Sequence, residues 1–434
     1  MKKPILRNLI VFFSLTLIQT FDPYLLAAQQ SNADTLQLSV PKAEEIFLQK
    51  NLALLANQYN VDINKALVQQ AKVWDNPVLN TDQNVYDGKF FRHETIDGEK
   101  FGQIYIQAQQ LIRTAGKIKK QTKLAQDNVL SAAAQFNDLM RNLKYVLTTD
   151  LNNLAQLQNA ASVYKNEMQT MQTLVNGMDE MLKLGDISQK ENIRIKALLF
   201  SLKSDYNDNL KQQYDLQKEI SSILQLNDNV WVVADVAQSF TVQQINSLSI
   251  LALQDSALQN RPDLTLAKTQ SVFLQHNINY QKALTKPDVT IGMEFDKHNS
   301  YQPNYVGLFA SVPLPLFNKN KGNIAAAQFA YRQSGVVVQQ VQNQVTKEVW
   351  GAWQKLTNAT SMLNTDNAQL QDNFDALMKN MIDSYRQREV GLVEFIDFFD
   401  SYKDTRFKQW QQITNQRNAA AELNYTTNQN IIKL

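Results

Sequence analysis

The sequence is poor in the two residues that most often interrupt helices and form turns. Its 434 residues include 12 glycines and 9 prolines, about 5% together, where average usage is roughly 12%. Sandwiches, propellers and doubly wound sheets are built from many short elements and need frequent turns. The scarcity of glycine and proline argues against these folds and favours long helices.

Cysteine is absent altogether. A chain without cysteine has no disulfide framework, no thiolate metal site and no cysteine to carry a lipid. Charge is nearly balanced, with 43 basic and 41 acidic residues. Removal of residues 1–28 would take away Lys2, Lys3, Arg7 and Asp22, and would leave 40 residues of each sign. A mature chain without net charge is not expected to be a general nucleic-acid binder.

The first 28 residues have the layout of a secretory signal. Lys2, Lys3 and Arg7 precede the apolar run 9–17, and small residues suited to cleavage stand at Ala28 and Ala33. An uncleaved N-terminal anchor is the alternative, but the apolar run is shorter than the ~20 residues of a membrane span. We therefore predict a signal peptide over 1–28 and export of the remaining chain.

Long helical runs dominate the rest of the sequence, which has no uninterrupted apolar stretch of about 18 residues. Within Thr114–Leu184, apolar side chains from Tyr164 to Leu182 recur in alternate steps of four and three residues, which is a heptad seam. At 1.5 Å per residue this run would extend roughly 105 Å. Further helical runs are predicted over 188–224, 323–385 and 393–425.

Short segments between the helices have the two-residue period of strands. Val289, Ile291, Met293 and Phe295 alternate with polar residues and carboxylates within 287–296. A strand with one wholly apolar face fits a membrane barrel, with lipid outside and water inside. Three more strands are predicted over 77–86, 102–112 and 305–316, the last ending at Pro313 and Pro315 because proline cannot continue the pairing.

The order of helix, strand, loop, strand, long helix, turn and helix occurs twice, and Pro77 matches Pro287 at a distance of 210 residues. An internal duplication explains this order, and we place its halves at 29–235 and 236–434. Four strands cannot close a barrel alone, and open strand edges are not tolerated in lipid. The fold class predicted is mainly α with a small β part, with several chains sharing one barrel.

Several motifs resemble the TolC-like outer membrane efflux protein family. The second half carries RPDL at 261–264, KPDV at 286–289, PLPLFNKNKGNIAAA at 313–327 and YRQREVGLVEFID at 385–397. The first half carries NPVL at 76–79 and LGDIS at 184–188. These motifs stand in the family's order over nearly the whole mature chain.

The resemblance implies a homotrimer in the cell outer membrane that extends into the periplasm. Each protomer would give four strands to a 12-stranded β-barrel and paired coiled-coil helices to an α-helical tunnel. Family members dock onto a periplasmic adaptor and an inner membrane pump, here of the resistance-nodulation-division type. They conduct passively what the pump expels, so no enzyme activity, catalytic residue, cofactor or nucleic-acid partner is expected.

The cargo is less specified than the fold. The stretch 313–327 is most similar to the heavy-metal cation efflux subgroup, which makes heavy-metal cations the favoured cargo. A type I secretion or multidrug channel is an alternative within the family. A periplasmic coiled-coil structural or adaptor-like protein that never enters the membrane is the alternative outside it.

The resemblance also implies a periplasmic gate near the second helical tip. Glu394 and Asp397 match acidic residues that ring the entrance in the family, and Tyr385 and Arg386 match contacts that close it. Spacing by three puts both carboxylates on one helical face, and threefold symmetry would gather six of them at one constriction. An ordinary solvated helix face is the alternative interpretation, since acids are favoured near a helix start.

The two helical tips are candidate docking surfaces for the adaptor. Gly185, Asp186 and Ser188 form the first tip, and Arg388 and Gly391 form the second. A purely structural role is the alternative, because Ser188 and Glu191 have the spacing of a capping box. Since Arg388 stands where the family has glycine, we expect the second turn to differ in shape from the first.

The chain has only three histidines, His93, His276 and His298. His93 and His298 fall in the two predicted external loops, where isolated surface histidines are far commoner than metal ligands. The motifs of serine hydrolases, zinc proteases and P-loop enzymes are absent from the sequence. No metal site is therefore predicted.

Overall fold

The protein is described here by a computed structural model. It describes residues 34–86, 88–91, 94–100, 102–236, 240, 245, 247–298, 302–363 and 367–434. The signal peptide predicted over 1–28 and both candidate cleavage sites lie outside these residues.

The chain begins with short elements and then alternates strands with long helices. The first half contains β1 (Asp34–Leu38), α1 (Val40–Lys50), α2 (Leu52–Gln70), β2 (Val78–Gln83), β3 (Thr95–Ile96), β4 (Glu99–Lys100), β5 (Ile104–Ile112), α3 (Lys117–Lys183) and α4 (Gln189–Leu224). The second contains β6 (Val230–Ala234), α5 (Ile250–Asn260), α6 (Pro262–Ala283), β7 (Val289–Asp296), β8 (Tyr305–Ser311), α7 (Lys321–Leu363), α8 (Asn367–Arg386) and α9 (Leu392–Thr427).

The long helices confirm the predicted mainly α fold. Helix α3 has 67 residues and so extends about 100 Å. Gly116, with a φ of 66°, precedes it, and Gly185, with a φ of 81°, follows it. The single run predicted over 323–385 corresponds to two described helices, α7 and α8, and residues 364–366 between them lie outside the description.

Four strands form one antiparallel sheet in the order β2, β5, β7, β8. All four were predicted, but β2 and β8 are shorter than expected, and β8 ends at Ser311, two residues before Pro313. Two small sheets were not predicted: the parallel pair of β1 and β6, and the hairpin of β3 and β4.

The internal repeat is visible in the backbone. Asn51 separates α1 from α2, and Arg261 separates α5 from α6, 210 residues later. Helices α2, α3, α6 and α7 contact one another in that order, which is the order of the strands from which they extend. We call this array the helical wall.

Buried apolar side chains form three clusters away from the sheet. One lies near the helical tips and includes Met171, Ile195, Phe395 and Phe399. The second packs α1, α3 and α4 beneath the β1–β6 pair, and the third packs α5, α7 and α9. Within the described residues, none of the helices has the length and hydrophobicity of a membrane-spanning helix.

Candidate functional site

The four-stranded sheet has one exposed apolar face. The register sets Met293 of β7 opposite Ala108 of β5 and Leu308 of β8, so their side chains share a face. Leu308 is 85% exposed and Leu79 of β2 is 69% exposed. Among the residues predicted to face lipid, Ile291 and Met293 are exposed, and Val289 and Phe295 are half-buried. The apolar face thus spans all four strands.

The opposite face of the sheet carries a polar network. The Tyr105 hydroxyl donates to Glu294 Oε2 over 2.8 Å, and Gln103 Nε2 donates to Asp296 Oδ1 over 2.7 Å. Asn80 Nδ2 donates to Gln107 Oε1 over 3.0 Å. Carboxylates that accept hydrogen bonds on an open surface keep part of their shell for water. This face is therefore suited to line an aqueous passage.

Gly292 lets the strands approach closely on the polar face. A Cβ at this position would lie 2.5 Å from the Phe309 ring and 2.6 Å from the Ala108 carbonyl oxygen. Any other residue would force the backbone or the ring to move. This contact could not be predicted from the sequence, because it depends on the pairing of β7 with β5 and β8.

Ion pairs fasten the helical wall to the foot of the sheet. Lys117, almost fully buried at the start of α3, binds Asp288 Oδ1 over 2.7 Å and the Lys286 carbonyl over 2.7 Å. The Thr114 amide donates to the same carboxylate over 2.8 Å. The KPDV motif at 286–289 therefore joins β7 of the second half to α3 of the first half.

The RPDL motif forms a buried charge network. Arg261 is 3% exposed and donates to Asp263 Oδ2 over 2.5 Å and to Glu348 Oε2 over 2.6 Å. The Arg141 guanidinium stands 3.7 Å from the same Asp263 carboxylate and 4.4 Å from the centre of the Tyr425 ring. Burial favours the protonated acid, but hydrogen bonds from Arg261 outweigh it and hold the pKa of Asp263 below its ordinary value.

The first helical tip is a tight turn with a glycine in the left-handed region. The Asp186 amide donates to the Met181 carbonyl over 2.9 Å and the Gly185 amide to the Leu182 carbonyl over 3.1 Å, which is a Schellman motif. The predicted capping box is present, because Ser188 and Glu191 exchange hydrogen bonds between side chain and backbone.

The second tip has the same backbone as the first. Arg388, with a φ of 63°, takes the place of Gly185, and the Glu389 amide donates to the Ser384 carbonyl over 2.9 Å. Gly391 precedes α9 as Ser188 precedes α4. The expected difference in shape was wrong, because arginine accepts the left-handed conformation here. The Arg388 guanidinium donates to the Asp186 carbonyl and joins the two tips.

The four predicted gate residues separate into two environments. Glu394, Asp397 and Arg386 are exposed beside the tips. Tyr385 is 9% exposed and stacks on Phe395 with ring centres 4.8 Å apart. Burial, with the nearby Glu191 carboxylate, raises the pKa of Tyr385 to about 12. In this structure Tyr385 therefore belongs to the apolar tip cluster.

The histidines differ in their surroundings. His276 Nδ1 lies 2.6 Å from Asp127 Oδ2, and this carboxylate is 1% exposed in the helical wall. The His298 amide donates to Asp296 over 3.1 Å, and His93 lies outside the described residues. The sequence did not predict the contact of Asp127 with His276, because it joins α3 to a helix 149 residues away.

Comparisons with known proteins agree with the resemblance. Residues 253–382 match the sequence profile of the outer membrane efflux protein family. No curated protein matches the chain.

Several solved structures share the fold. The Campylobacter jejuni CmeC outer membrane channel is similar with a TM-score of 0.74 at 12% identity, over 89% of this chain and 85% of CmeC. The open state of the Neisseria gonorrhoeae MtrE outer membrane channel is similar with a TM-score of 0.69 at 13% identity, over 90% of this chain and 89% of MtrE. The Vibrio cholerae outer membrane protein VceC is similar with a TM-score of 0.70 at 12% identity, over 91% of this chain and 97% of VceC. These findings confirm the resemblance and the fold class.

Proposed function

Since the chain carries the outer membrane efflux protein domain over residues 253–382 and shares the fold of outer membrane channels, we propose that it is the trimeric exit duct of a tripartite efflux system. It would conduct passively what an inner membrane pump expels. The observation that carries the proposal is the sheet with one apolar and one polar face, continued by a helical wall in which α3 extends about 100 Å.

The open edges of the sheet support a trimer. Strands β2 and β8 stand at its edges and have one sheet neighbour each. Unpaired backbone groups at such edges cost several kcal/mol each in lipid. Three copies would join β8 of one protomer to β2 of the next and would close a sheet of 12 strands.

The helical tips support docking of a periplasmic adaptor. Gly185, Asp186, Ser188, Arg388 and Gly391 lie in two turns that Arg388 joins into one surface. The duplication into 29–235 and 236–434 would then give a trimer six such hairpins. A pump of the resistance-nodulation-division type is the partner that we propose behind the adaptor.

The exposed carboxylates of Glu394 and Asp397 support a cation-selective entrance. Both stand on one face of α9 within two turns of its start. Three copies would place six carboxylates around the axis and raise the local concentration of cations. The Arg386 side chains would supply the opposing charge that closes the ring between transport events.

The direct test is ion conduction by purified protein in planar lipid bilayers, with its mass in detergent measured by light scattering. We expect trimers that open single channels. Ile291→Lys with Leu308→Lys puts two charges on the apolar face, each costing about 2–4 kcal/mol near the bilayer midplane, and should abolish insertion. Asn80→Lys with Gln109→Lys puts the same charges on the polar face and should preserve it.

The alternative outside the family predicts a different outcome. A periplasmic coiled-coil protein would fractionate as a soluble monomer, and both pairs of lysine substitutions would leave that behaviour unchanged. Such a result would contradict the channel.

A further inference from the structure

A basic cleft lies where the sheet meets the helical wall. It occupies about 390 Å³ between the start of α3 and the end of α6. Its polar lining consists of Lys120, Lys123, Lys282, Lys286, His276 and Asn279. None of the described residues that line it carries a carboxylate.

The four lysines of this basic cleft differ from the charged residues beside them. The neighbouring Lys117 pairs with Asp288 at 2.7 Å, and Asp127 contacts His276 Nδ1 at 2.6 Å. In the described part of the chain, by contrast, no ion pair includes any of the four cleft lysines. The predicted mature chain has no net charge, so four unpaired ammonium groups in one cleft are a local excess.

Helix dipoles do not account for this cluster. Lys282 stands in the last turn of α6, where a cation is favoured. Lys120 and Lys123, however, stand in the first two turns of α3, which has no acidic residue in its first turn. Cations are disfavoured at that end of a helix. A bound anion would offset the repulsion.

The basic cleft stands at the height of lipid headgroups if the sheet spans the membrane. Strand β7 begins at Val289, three residues after Lys286, and β5 ends at Ile112. Lys123 is six residues into α3, about 9 Å below the helix start. A headgroup layer is about 5–8 Å thick on each side of the hydrocarbon core, and lysine side chains reach several ångströms toward it.

The basic cleft and the polar face of the sheet lie on different sides of the helical wall. A separate cavity between α2 and α3 is lined by Arg113, Gln121, Asn128 and Phe273. Arg113 continues the alternation of Tyr105, Gln107 and Gln109, so that cavity opens on the polar side. Lys123 of α3 and Lys282 of α6 lie on other helical faces than the residues of that cavity.

From this placement we infer that the basic cleft binds the phosphate headgroup of an anionic phospholipid in the periplasmic leaflet. The inference rests on the proposed function, because it needs the sheet in a bilayer. The lysines would bind the phosphate, Asn279 would hydrogen-bond the headgroup, and the apolar face above would contact the acyl chains. Without a cysteine-linked lipid, this contact would help to fix the depth of the protein in the membrane.

The test is native mass spectrometry of the full chain in detergent, titrated with phosphatidylglycerol or with phosphatidylcholine of the same acyl chains. Each lysine near an anionic lipid is worth roughly fivefold in affinity. We expect Lys282→Gln with Lys286→Gln to weaken phosphatidylglycerol binding by about tenfold or more and to leave phosphatidylcholine binding unchanged. The matched control, Lys203→Gln with Lys347→Gln, removes two exposed lysines elsewhere and should change neither.

Three results would overturn the inference. They are equal binding of the two lipids by the unchanged protein, an unaltered phosphatidylglycerol affinity in the cleft variant, and competition by glycerol 3-phosphate at the affinity of the whole lipid. The last result would mean a soluble phosphate site. Conductance of the same preparations separates the two proposals, because a conducting trimer without lipid preference would refute only the lipid site.

Discussion

The long helices of the two halves occupy equivalent places in the repeat but bury different side chains. Helix α3 buries five charged residues: Lys117, Asp127, Arg141, Asp150 and Glu167. Within its described residues, α7 buries only alanine, valine, leucine, serine and threonine. The difference follows from position, because α3 lies between α2 and α6 inside the helical wall, whereas α7 stands at its edge.

Three of these charges, on Lys117, Asp127 and Arg141, contact the second half of the chain. Lys117 binds Asp288, Asp127 contacts His276, and Arg141 packs on the Tyr425 ring. A shifted register between the halves would leave such groups buried without a partner, which is strongly destabilising. The buried charges of α3 therefore fix how the two halves fit together, while apolar packing is sufficient for α7.

The largest effect is expected from the equivalent residues Arg261 and Asn51. Arg261→Ala should lower stability by about 3–5 kcal/mol, because Asp263 and Glu348 lose their buried partner. Asn51 caps α2 and donates to the Ile223 carbonyl over 2.8 Å with a neutral amide. Asn51→Ala should cost only about 1–2 kcal/mol. Thermal unfolding in detergent, followed by tryptophan fluorescence, measures both.

Equal losses for the two substitutions would contradict the expectation that a buried ion pair matters more than a neutral amide at the equivalent position of the repeat. The pKa of Asp263 adds a second readout, since it lies below the ordinary value. A carboxylate with a lowered pKa stabilises the fold above its unfolded pKa, near 4, and loses that contribution as the pH falls through the folded value. The gap between the natural protein and Arg261→Ala should therefore narrow below pH 4.

The sequence predicted the elements whose signal is local and missed those that depend on distant pairing. Helices α3 and α4 were predicted nearly to their ends, because glycine, proline and the heptad seam act within a few residues. The β1–β6 pair was missed, since five residues near the start pair with a segment almost 200 residues later. The contact of Asp127 with His276 was missed for the same reason.

At the candidate sites the sequence predicted chemistry better than environment. Glu394 and Asp397 share an exposed face, as their spacing requires. Tyr385, by contrast, is buried by aromatic residues of α9, and the spacing within the tip motif does not predict this contact. The turn at Arg388 was expected to differ from the first because glycine was absent. Its hydrogen bonds to the Tyr385 and Ser384 carbonyls hold the same turn without glycine.

An intermediate effect is expected from Asp150, a buried charge of α3 whose Oδ2 has no hydrogen-bond partner among the described residues. Burial, with the nearby Glu219 carboxylate, raises the pKa of Asp150 to about 6. Its contribution to stability is present below about pH 4 and is lost as the pH rises through 6. Asp150→Asn should therefore increase the free energy of unfolding at pH 8 by up to about 3 kcal/mol, which is measured as a higher unfolding temperature. At pH 4 it should have little effect.

The control for this prediction is Asp228→Asn, which changes an exposed aspartate and should have no such pH dependence. A variant at Asp150 that loses stability at pH 8 would mean that the charged form is required. The buried charges of α3 would then all contribute in the same direction.

The smallest effect is expected from the two tips, which share a backbone but differ in the residue at its left-handed position. A Cβ at Gly185 would meet nothing within 4 Å, so Gly185→Ala should cost only the backbone strain, about 1 kcal/mol. At the second tip the Arg388 hydrogen bond to the Asp186 carbonyl offsets the same strain. Arg388→Ala should therefore cost about 1 kcal/mol, whereas Arg388→Gly should stay within about 0.5 kcal/mol. Hydrogen exchange of amides in the tip cluster measures each change, and a clear gain of protection in Arg388→Gly would show that the hydrogen bond contributes nothing.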